Sequence, residues 1–381
     1  MRERILTLTG NLLQALEASD VVGASEKFRE EIRNGRDAWE IHLSLFPVVM
    51  RVLNPPFINA HLPKMYSIYR DLFPYLNKED IPSLIQLEIN EYARRPLMEK
   101  LLRANPLTSP VSFSDVESAI REQDLEKTTI LMATFYVQKG GEEFSRRFLL
   151  LGSGYLNDSL GHSVSCPAFI LLEMIKHNNH DPWPALTTLA NFFCKAQFHT
   201  TPSLRKSKDL LQDETLFHPM LEATSGLGII KMHSTITRYA IERTRHLFSE
   251  EEYNHMIGAW ISFMENRREE QVALDNHGME PVTDYTRFYE IFCRQEAKPV
   301  VAALSGMISL KEGRRQLSRF LIKGLCDQYP GRYDPHCLTG LGSALWVIER
   351  YWNRPPIPIN ALFQYVDFYF DSVKSRSSGS V

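Results

Sequence analysis

The chain has 381 residues, with 43 basic and 46 acidic side chains and a formal net charge of −3. A balance this close to neutral argues against a polybasic surface, so we expect neither nucleic acid nor an anionic membrane as a partner. The length is enough to bury a large hydrophobic core, in one large domain or in two smaller ones.

Cysteine use and the apolar segments bear on the cellular compartment. The five cysteines include no Cys-x-x-Cys pair, which argues against a zinc ribbon and against a disulfide framework. The first residues lack the uninterrupted apolar stretch of a signal peptide. The longest apolar run, 299–310, has about half the length that a membrane span needs. We therefore expect a cytoplasmic protein with reduced thiols and no membrane partner.

Apolar residues recur at helical spacing along almost the whole chain, and the alternating pattern of strands is almost absent. Capping-box sequences begin two of the helical segments, at Ser112 and Ser249. The predicted helices, with boundaries loose by about two to four residues, are 3–18, 23–34, 38–53, 61–76, 80–103, 112–122, 125–138, 142–156, 162–177, 184–198, 217–246, 250–271, 285–307, 312–327, 336–353 and 359–374. The prediction is an all-α fold, a large multi-helix bundle of about 15 helices.

The helices are predicted to form a single domain over 1–374. The short stretch 104–112, between two helical segments, allows a separate N-terminal subdomain over 1–104. The spacing of related segments is too irregular for a solenoid repeat. The tail 375–381 consists mostly of serine and glycine, and we expect it to be disordered.

Three short motifs have ordinary structural explanations that we prefer. The sequence Gly140-Gly141-Glu142-Glu143-Phe144 matches a diguanylate-cyclase signature, but here it separates two helical segments, where glycines suit a helix end. His180-Asp181 is similar to an HD phosphohydrolase motif, but the proline that follows puts it in a turn. Glu252 and His255 match the Glu-x-x-His of di-iron bundles, which need two copies of the motif.

Histidine precedes an apolar helical segment at four places, and this pattern is the most informative feature of the chain. The four residues are His61, His162, His233 and His336. Imidazole is the commonest protein ligand for iron, zinc and copper. A single such histidine usually only satisfies a hydrogen bond, but four in a shared local context favour a joint role. We predict that the four rings meet at one metal ion, with ligand nitrogens within about 4.5 Å of one another.

Residues one helical turn beyond the candidate ligands lie on the same face, so we expect them to support the ligands or to shape a substrate pocket. They are Cys166, Thr237 and Gly340, each four residues after a histidine. Trp346 is a further pocket candidate, although packing in the core is the commoner role of an aromatic side chain. The other aromatic candidates are Phe192, Phe193, Phe198, Tyr239 and Trp260.

The segments around the four histidines, in this order, resemble those of the questin oxidase-like family. The similar stretches are Asn59-Ala60-His61-Leu62-Pro63, Leu160-Gly161-His162, Met232-His233-Ser234-Thr235-Ile236-Thr237 and Asp334-Pro335-His336. The resemblance implies an all-helical oxygenase that opens rings of polyketide-derived aromatic compounds such as anthraquinones. It also implies a mononuclear non-haem iron, held by these four histidines and by a carboxylated lysine near the last one. The chain departs from that pattern, because no lysine occurs between His336 and Lys374.

We therefore predict a metal-dependent oxidoreductase, an oxygenase with non-haem iron, that acts on an aromatic or polyketide-like small molecule. Two alternatives stay open. One is a non-catalytic helical scaffold or ligand-binding protein that keeps the fold, which the missing lysine favours. The other is a metal-dependent hydrolase that activates a zinc-bound water with the same ligands. The sequence leaves the substrate, the use of NADPH and the oligomeric state open, and it assigns no catalytic residue.

Overall fold

The computed structural model describes residues 10–99, 102–177, 181–196, 198, 213–265, 282–329 and 334–377. These residues form 19 α-helices and no β-strand, and 74% of the structure is helical. The all-α prediction is confirmed, with slightly more helices than expected. The helices are α1 (Gly10–Glu17), α2 (Val21–Arg33), α3 (Ala38–Ser44), α4 (Phe46–Val49), α5 (His61–Leu72), α6 (Ile81–Ala93), α7 (Phe113–Arg121), α8 (Leu125–Lys139), α9 (Gly141–Ser153), α10 (His162–Lys176), α11 (Trp183–Lys195), α12 (Asp213–Thr224), α13 (Gly228–Arg243), α14 (Glu250–Glu265), α15 (Tyr285–Phe292), α16 (Ala297–Ser305), α17 (Lys311–Asp327), α18 (His336–Tyr351) and α19 (Ile357–Ser377).

Three predicted helices are each divided in two, which accounts for the larger number. The pair α3 and α4 is one case, because Pro47 has no N–H to continue the hydrogen bonds of α3 and is tolerated only near the start of α4. The pair α12 and α13 is another, since α13 begins at Gly228 with a φ of +79°. Between α15 and α16, Gln295 has a φ of +54°, which is incompatible with a right-handed helix.

The chain divides into two compact units, each built from three separate stretches. Unit 1 comprises 1–67, 85–205 and 240–256, and unit 2 comprises 68–84, 206–239 and 257–381. Four of the five boundaries fall inside α5, α6, α13 and α14, so each of these four helices begins in one unit and ends in the other. The fifth boundary, between 205 and 206, lies outside the described residues.

Unit 1 has its core among the helices α7 to α11, where α9 packs against α10 and α8 packs against α11. The rings of Phe144, Phe148 and Phe193 follow one another there, with centroids 5.5 Å and 4.6 Å apart. The approach of α9 to α10 is close at Gly152, where an added Cβ would lie 2.2 Å from the carbonyl oxygen of Ser163. Because Ser163 is the second residue of α10, this glycine lets the start of α10 lie against α9.

In unit 2, α18 and α19 pack along each other, and α12 and α16 also pack on α19. Gly340 of α18 lies against Met232 of α13, where an added Cβ would be 2.5 Å from the methionine sulfur. From α14, the indole N–H of Trp260 donates to the carbonyl oxygen of Ser234 at 2.8 Å. The second turn of α13 is therefore held by two neighbouring helices.

The predicted linker 104–112 has no helix, and Gln138 of α8 holds it by hydrogen bonds with the backbone of Ser109 and Val111, at 2.9 Å and 3.0 Å. Helix α19 includes the first three residues of the predicted tail 375–381, and the others lie outside the described residues. None of the described helices combines the length and the apolar character needed to cross a lipid bilayer.

Candidate metal centre

His61 and His162 face each other in unit 1. Helix α5 begins at the first and α10 begins at the second, in keeping with the sequence pattern. Their Nε2 atoms are 2.7 Å apart, the ring planes are nearly perpendicular at 88°, and the residues are only 3% and 4% exposed. Two histidines that are 101 residues apart in the sequence thus form a buried pair.

The turn before α10 orients the ring of His162. Leu160 and Gly161 have φ values of +52° and +79°, so the chain reverses just before the helix begins. The carbonyl oxygen of Ser159 lies 2.6 Å from Nδ1 of His162. Because a carbonyl oxygen only accepts, Nδ1 carries the proton and donates it. In the neutral ring, Nε2 then has a lone pair directed at His61.

His233 and His336 form a second buried pair, in unit 2. Helix α18 begins at His336, but His233 is the sixth residue of α13 and not its first. The two Nε2 atoms are 3.0 Å apart, the ring planes make an angle of 64°, and the residues are 1% and 8% exposed.

Both rings of the second pair have their outer nitrogen held by an oxygen. Nδ1 of His233 donates to the carbonyl oxygen of Ile229 at 2.6 Å, and Nδ1 of His336 donates to Oδ1 of Asp334 at 2.6 Å. In their neutral forms, both rings therefore have a lone pair on Nε2, and the two lone pairs face each other across 3.0 Å. Such lone pairs repel unless a positive charge lies next to them. A proton or a metal ion between the two nitrogens would remove this repulsion.

Asp334 is a functional candidate to which sequence reasoning gave no role. Its Oδ1 accepts hydrogen bonds from both Nδ1 and the backbone N–H of His336, at 2.6 Å and 2.9 Å. Carboxylates that hold the outer nitrogen of a metal-bound histidine fix the ring and raise its basicity. The available signal was an acidic residue two positions before a histidine that begins a helix, since such a residue readily caps the helix.

Two buried threonines follow the histidines of unit 2 by about one turn. They are Thr237 on α13, one of the predicted neighbours, and Thr339 on α18, which the sequence did not single out. Both side chains are fully buried, and neither Oγ1 atom has a hydrogen-bond partner among the described residues. A buried hydroxyl without a partner costs about 1–3 kcal/mol, so a bound ligand or water at these atoms would remove that cost.

Cys166 lies one turn beyond His162 and is fully buried. Burial raises the pKa of its thiol, against the opposing effect of the Lys64 ammonium. Lys64 is itself fully buried and donates to Oγ of Ser165 at 3.4 Å. The thiol is therefore protonated at neutral pH and suits a neighbour of the histidine pair better than an anionic metal ligand.

Gly340 and Trp346, the other two predicted neighbours, both lie on α18. Gly340 contacts Met232, as described above. Trp346 is half-buried and stacks on Tyr239 with ring centroids 5.7 Å apart, and the guanidinium of Arg238 lies 5.4 Å from its ring. Ten residues of helix separate Trp346 from His336, or about 15 Å along the axis.

The three rejected motifs have the structural roles expected of them where they are described. Gly140, with a φ of +86°, stands between α8 and α9. Glu252 accepts from the backbone N–H of Ser249 at 3.0 Å, and His255 is hydrogen-bonded through Nε2 to Oγ of Ser153 at 3.0 Å. His180 lies outside the described residues.

The described geometry brings the histidines together within each unit, and binding of one ion by both pairs stays a prediction. Comparison with known proteins gives no relative: no protein-family model, no curated protein and no solved structure matches the chain. The resemblance to the questin oxidase-like family therefore rests on the four histidine segments alone.

Proposed function

We propose that the protein is a metal-dependent oxidoreductase, an oxygenase with non-haem iron, that acts on an aromatic or polyketide-like small molecule. The proposed ligands are His61, His162, His233 and His336. His61, His162 and His336 are each buried, and each offers a ring nitrogen that could bind a metal ion.

One observation carries the proposal: the facing Nε2 lone pairs of His233 and His336. Both outer nitrogens donate to oxygen acceptors, so the inner nitrogens are left as acceptors only 3.0 Å apart. Two nitrogens bonded to one ion at about 2.1 Å, at right angles, would be about 3.0 Å apart. The spacing of this pair, and the 2.7 Å of the other, is close to that value.

The chemistry of the donors also fits a redox-active metal. Neutral imidazole suits iron, copper and zinc, and a carboxylate behind the ring, as Asp334 is behind His336, is typical of metal-bound histidine. When bound, such an iron ion would supply electrons to dioxygen and polarise a substrate oxygen. The chain itself contributes fixed ring orientations, a buried surrounding and the hydroxyls of Thr237 and Thr339, which have no hydrogen-bond partner in the part of the chain that the structure describes.

A second candidate function is that of a non-catalytic protein. The contact between the Asp334 carboxylate and His336 favours it. A proton shared by His233 and His336 would also relieve the repulsion of the lone pairs, and the Asp334 carboxylate would balance its charge. The absence of a lysine between His336 and Lys374 agrees with a protein that has lost its chemistry. A zinc hydrolase would use the same ligands, with a metal-bound water as its nucleophile.

Metal analysis of the purified protein separates these functions. We expect one iron per chain, and loss of that iron in the double variants His61→Ala/His162→Ala and His233→Ala/His336→Ala. The matched control is His246→Ala, because His246 is exposed and should leave the iron content unchanged. A protein that stays free of metal after reconstitution with ferrous iron, and whose histidine pair gives the NMR signal of an N–H···N hydrogen bond, would overturn the proposal.

The type of reaction is tested next, with the iron-loaded protein and a set of hydroxylated aromatic compounds. An oxygenase consumes dioxygen during turnover and stops under anaerobic conditions. Turnover that is equal with and without dioxygen would instead identify a hydrolase.

A further inference from the structure

A pocket of about 210 Å³ opens on unit 1, beside the first residue of α5. One wall is the loop 52–60, which ends at Ala60, directly before His61. The other wall is the last part of α11, represented by Thr188, Asn191 and Lys195. The volume exceeds the roughly 150 Å³ of a cavity that takes up benzene, so a substituted aromatic ring fits.

Two apolar side chains of the loop line the pocket and are not buried in the core. Phe57 is 62% exposed and Ile58 is 41% exposed, and both follow the two prolines of the loop. An aromatic ring that packs on Phe57 would cover part of this apolar surface and gain a ring-to-ring contact worth about 0.5–1.5 kcal/mol beyond its area. The apolar part of the ligand is therefore expected to be aromatic.

The polar side chains of the pocket are one ammonium group, three amides and one hydroxyl. Among the described residues that line the pocket, Lys195 is the only charged one. The side-chain oxygen of Asn54 accepts from Nη1 of Arg95 at 2.5 Å, and its amide carries two N–H donors. The hydroxyl proton of Thr188 is donated to the carbonyl of Met50. An ammonium group and amide N–H groups together favour an anion with more than one acceptor oxygen.

We propose that this pocket binds an aromatic carboxylate, with the ring against Phe57 and the carboxylate on Lys195. A carboxylate is preferred to a phenol because it is ionised at neutral pH and offers two acceptor oxygens. The inference rests on the proposed function in one respect. The loop 52–60 ends directly before His61, and we take the bound acid to be the substrate of the proposed metal site. Lys195 is then the residue that selects acids over neutral aromatic compounds.

Binding is tested with the metal-free protein, using 2-naphthoate as probe and isothermal titration as readout. We expect 2-naphthoate to bind wild type, and to bind Lys195→Met about two- to fivefold more weakly, the size expected for one exposed charge pair. Lys195→Arg should keep most of the affinity. The matched control is Lys139→Met, because Lys139 is exposed and stands in the last turn of α8, as Lys195 stands in the last turn of α11.

Two neutral probes test the preference for an acid. The amide 2-naphthamide should bind wild type and Lys195→Met equally, and more weakly than 2-naphthoate binds wild type. The phenol 2-naphthol should bind no better than the amide. Equal affinity of Lys195→Met and wild type for 2-naphthoate, or tighter binding of either neutral probe, would overturn the assignment.

Loss of 2-naphthoate binding can be distinguished experimentally from loss of metal binding. The titration is repeated with His233→Ala/His336→Ala, whose substitutions lie in unit 2, while every residue of the pocket lies in unit 1. Retained binding of 2-naphthoate by this variant supports a pocket that stands without the metal. Binding that requires iron, or that disappears in this folded variant, contradicts it.

Discussion

Asp334 and His336 form a carboxylate–imidazole pair in which one oxygen, Oδ1, accepts from both the ring and the backbone of the histidine. Removal of the carboxylate should therefore loosen the ring and make it a weaker ligand. We expect Asp334→Ala to lower metal affinity about 10- to 100-fold, the usual effect of such a partner, as measured by competition with a chelator.

The control for this variant is Asp284→Ala. Asp284 also stands at a helix start and accepts a backbone N–H, that of Arg287 at 2.9 Å, but it holds no histidine. It should lose a comparable amount of helix stability and keep the metal. Equal metal affinity of the two variants would mean that Asp334 serves only as a helix cap.

Thr237 and Thr235 lie on the same helix and should respond oppositely to the same substitution. Thr235 shares its one hydroxyl proton between the carbonyl of Met232 at 2.9 Å and Oε1 of Gln364 at 3.2 Å, whereas the Thr237 hydroxyl has no partner among the described residues. In the metal-free protein, we expect Thr235→Val to lower the free energy of unfolding by about 1 kcal/mol and Thr237→Val to raise it by about 1 kcal/mol. Urea denaturation measures both, and a loss of the same size in both would show that Thr237 is hydrogen-bonded.

Gly152 should tolerate no side chain. A Cβ at this position would lie 2.2 Å from the carbonyl oxygen of Ser163, and backbone atoms cannot move aside as a flexible side chain can. We expect Gly152→Ala to cost about 3 kcal/mol of stability and to displace His162, so that metal affinity falls as well. Gly10→Ala is the control, since an added Cβ there meets no atom of the described residues within 4 Å. A Gly152→Ala protein as stable as wild type would contradict this contact.

Asp80 should make the stability of unit 2 depend on acid pH. Burial opposes its ionisation, but hydrogen bonds from Lys323 and Arg319, at 2.7 Å and 2.8 Å, outweigh that effect and hold the pKa of its carboxyl below the usual range. A lowered pKa in the folded state means that the carboxylate stabilises the fold above its unfolded pKa of about 3.9 and that this contribution is lost as the pH falls through the folded value.

We expect Asp80→Asn to lower the free energy of unfolding by about 2 kcal/mol at pH 7. The difference from wild type should shrink steadily below about pH 4, because wild type then loses the same charge. Denaturation curves at several pH values measure this. A difference that stays constant down to pH 2 would mean that the ion pairs do not cause it.

The sequence could predict the class of fold and most helix starts because their signals are local. Three of the four histidines begin a helix, where a glycine, a proline or a turn precedes an apolar periodic segment. His233 does not, because α13 begins earlier, at Gly228. Gly226, two residues before this helix start, packs against Lys231, and an added Cβ at Gly226 would be 2.4 Å from Cγ of Lys231. A contact of this kind produces no periodic pattern in the sequence.

The candidate site could be predicted only in part. Residue types and their helical context identified His61 and His162 as candidates, but their pairing across 101 residues depends on the packing of α5 beside α10. The orientation of each ring depends on acceptors such as Asp334 and the carbonyl of Ser159, which become partners only after the turn has formed. The pocket beside Lys195 could not be predicted from the sequence either, because it forms only where the loop 52–60 packs beside α11.

The unit boundaries inside α5, α6, α13 and α14 have a practical consequence for protein engineering. Because each unit is assembled from three separate stretches, no single fragment of the gene encodes either unit, and a cut at any of these four boundaries would sever a helix. Domain truncation, split-protein fusion and recombination at these four positions would therefore each leave exposed apolar helix ends. Variants of this protein are best made residue by residue in the full-length chain.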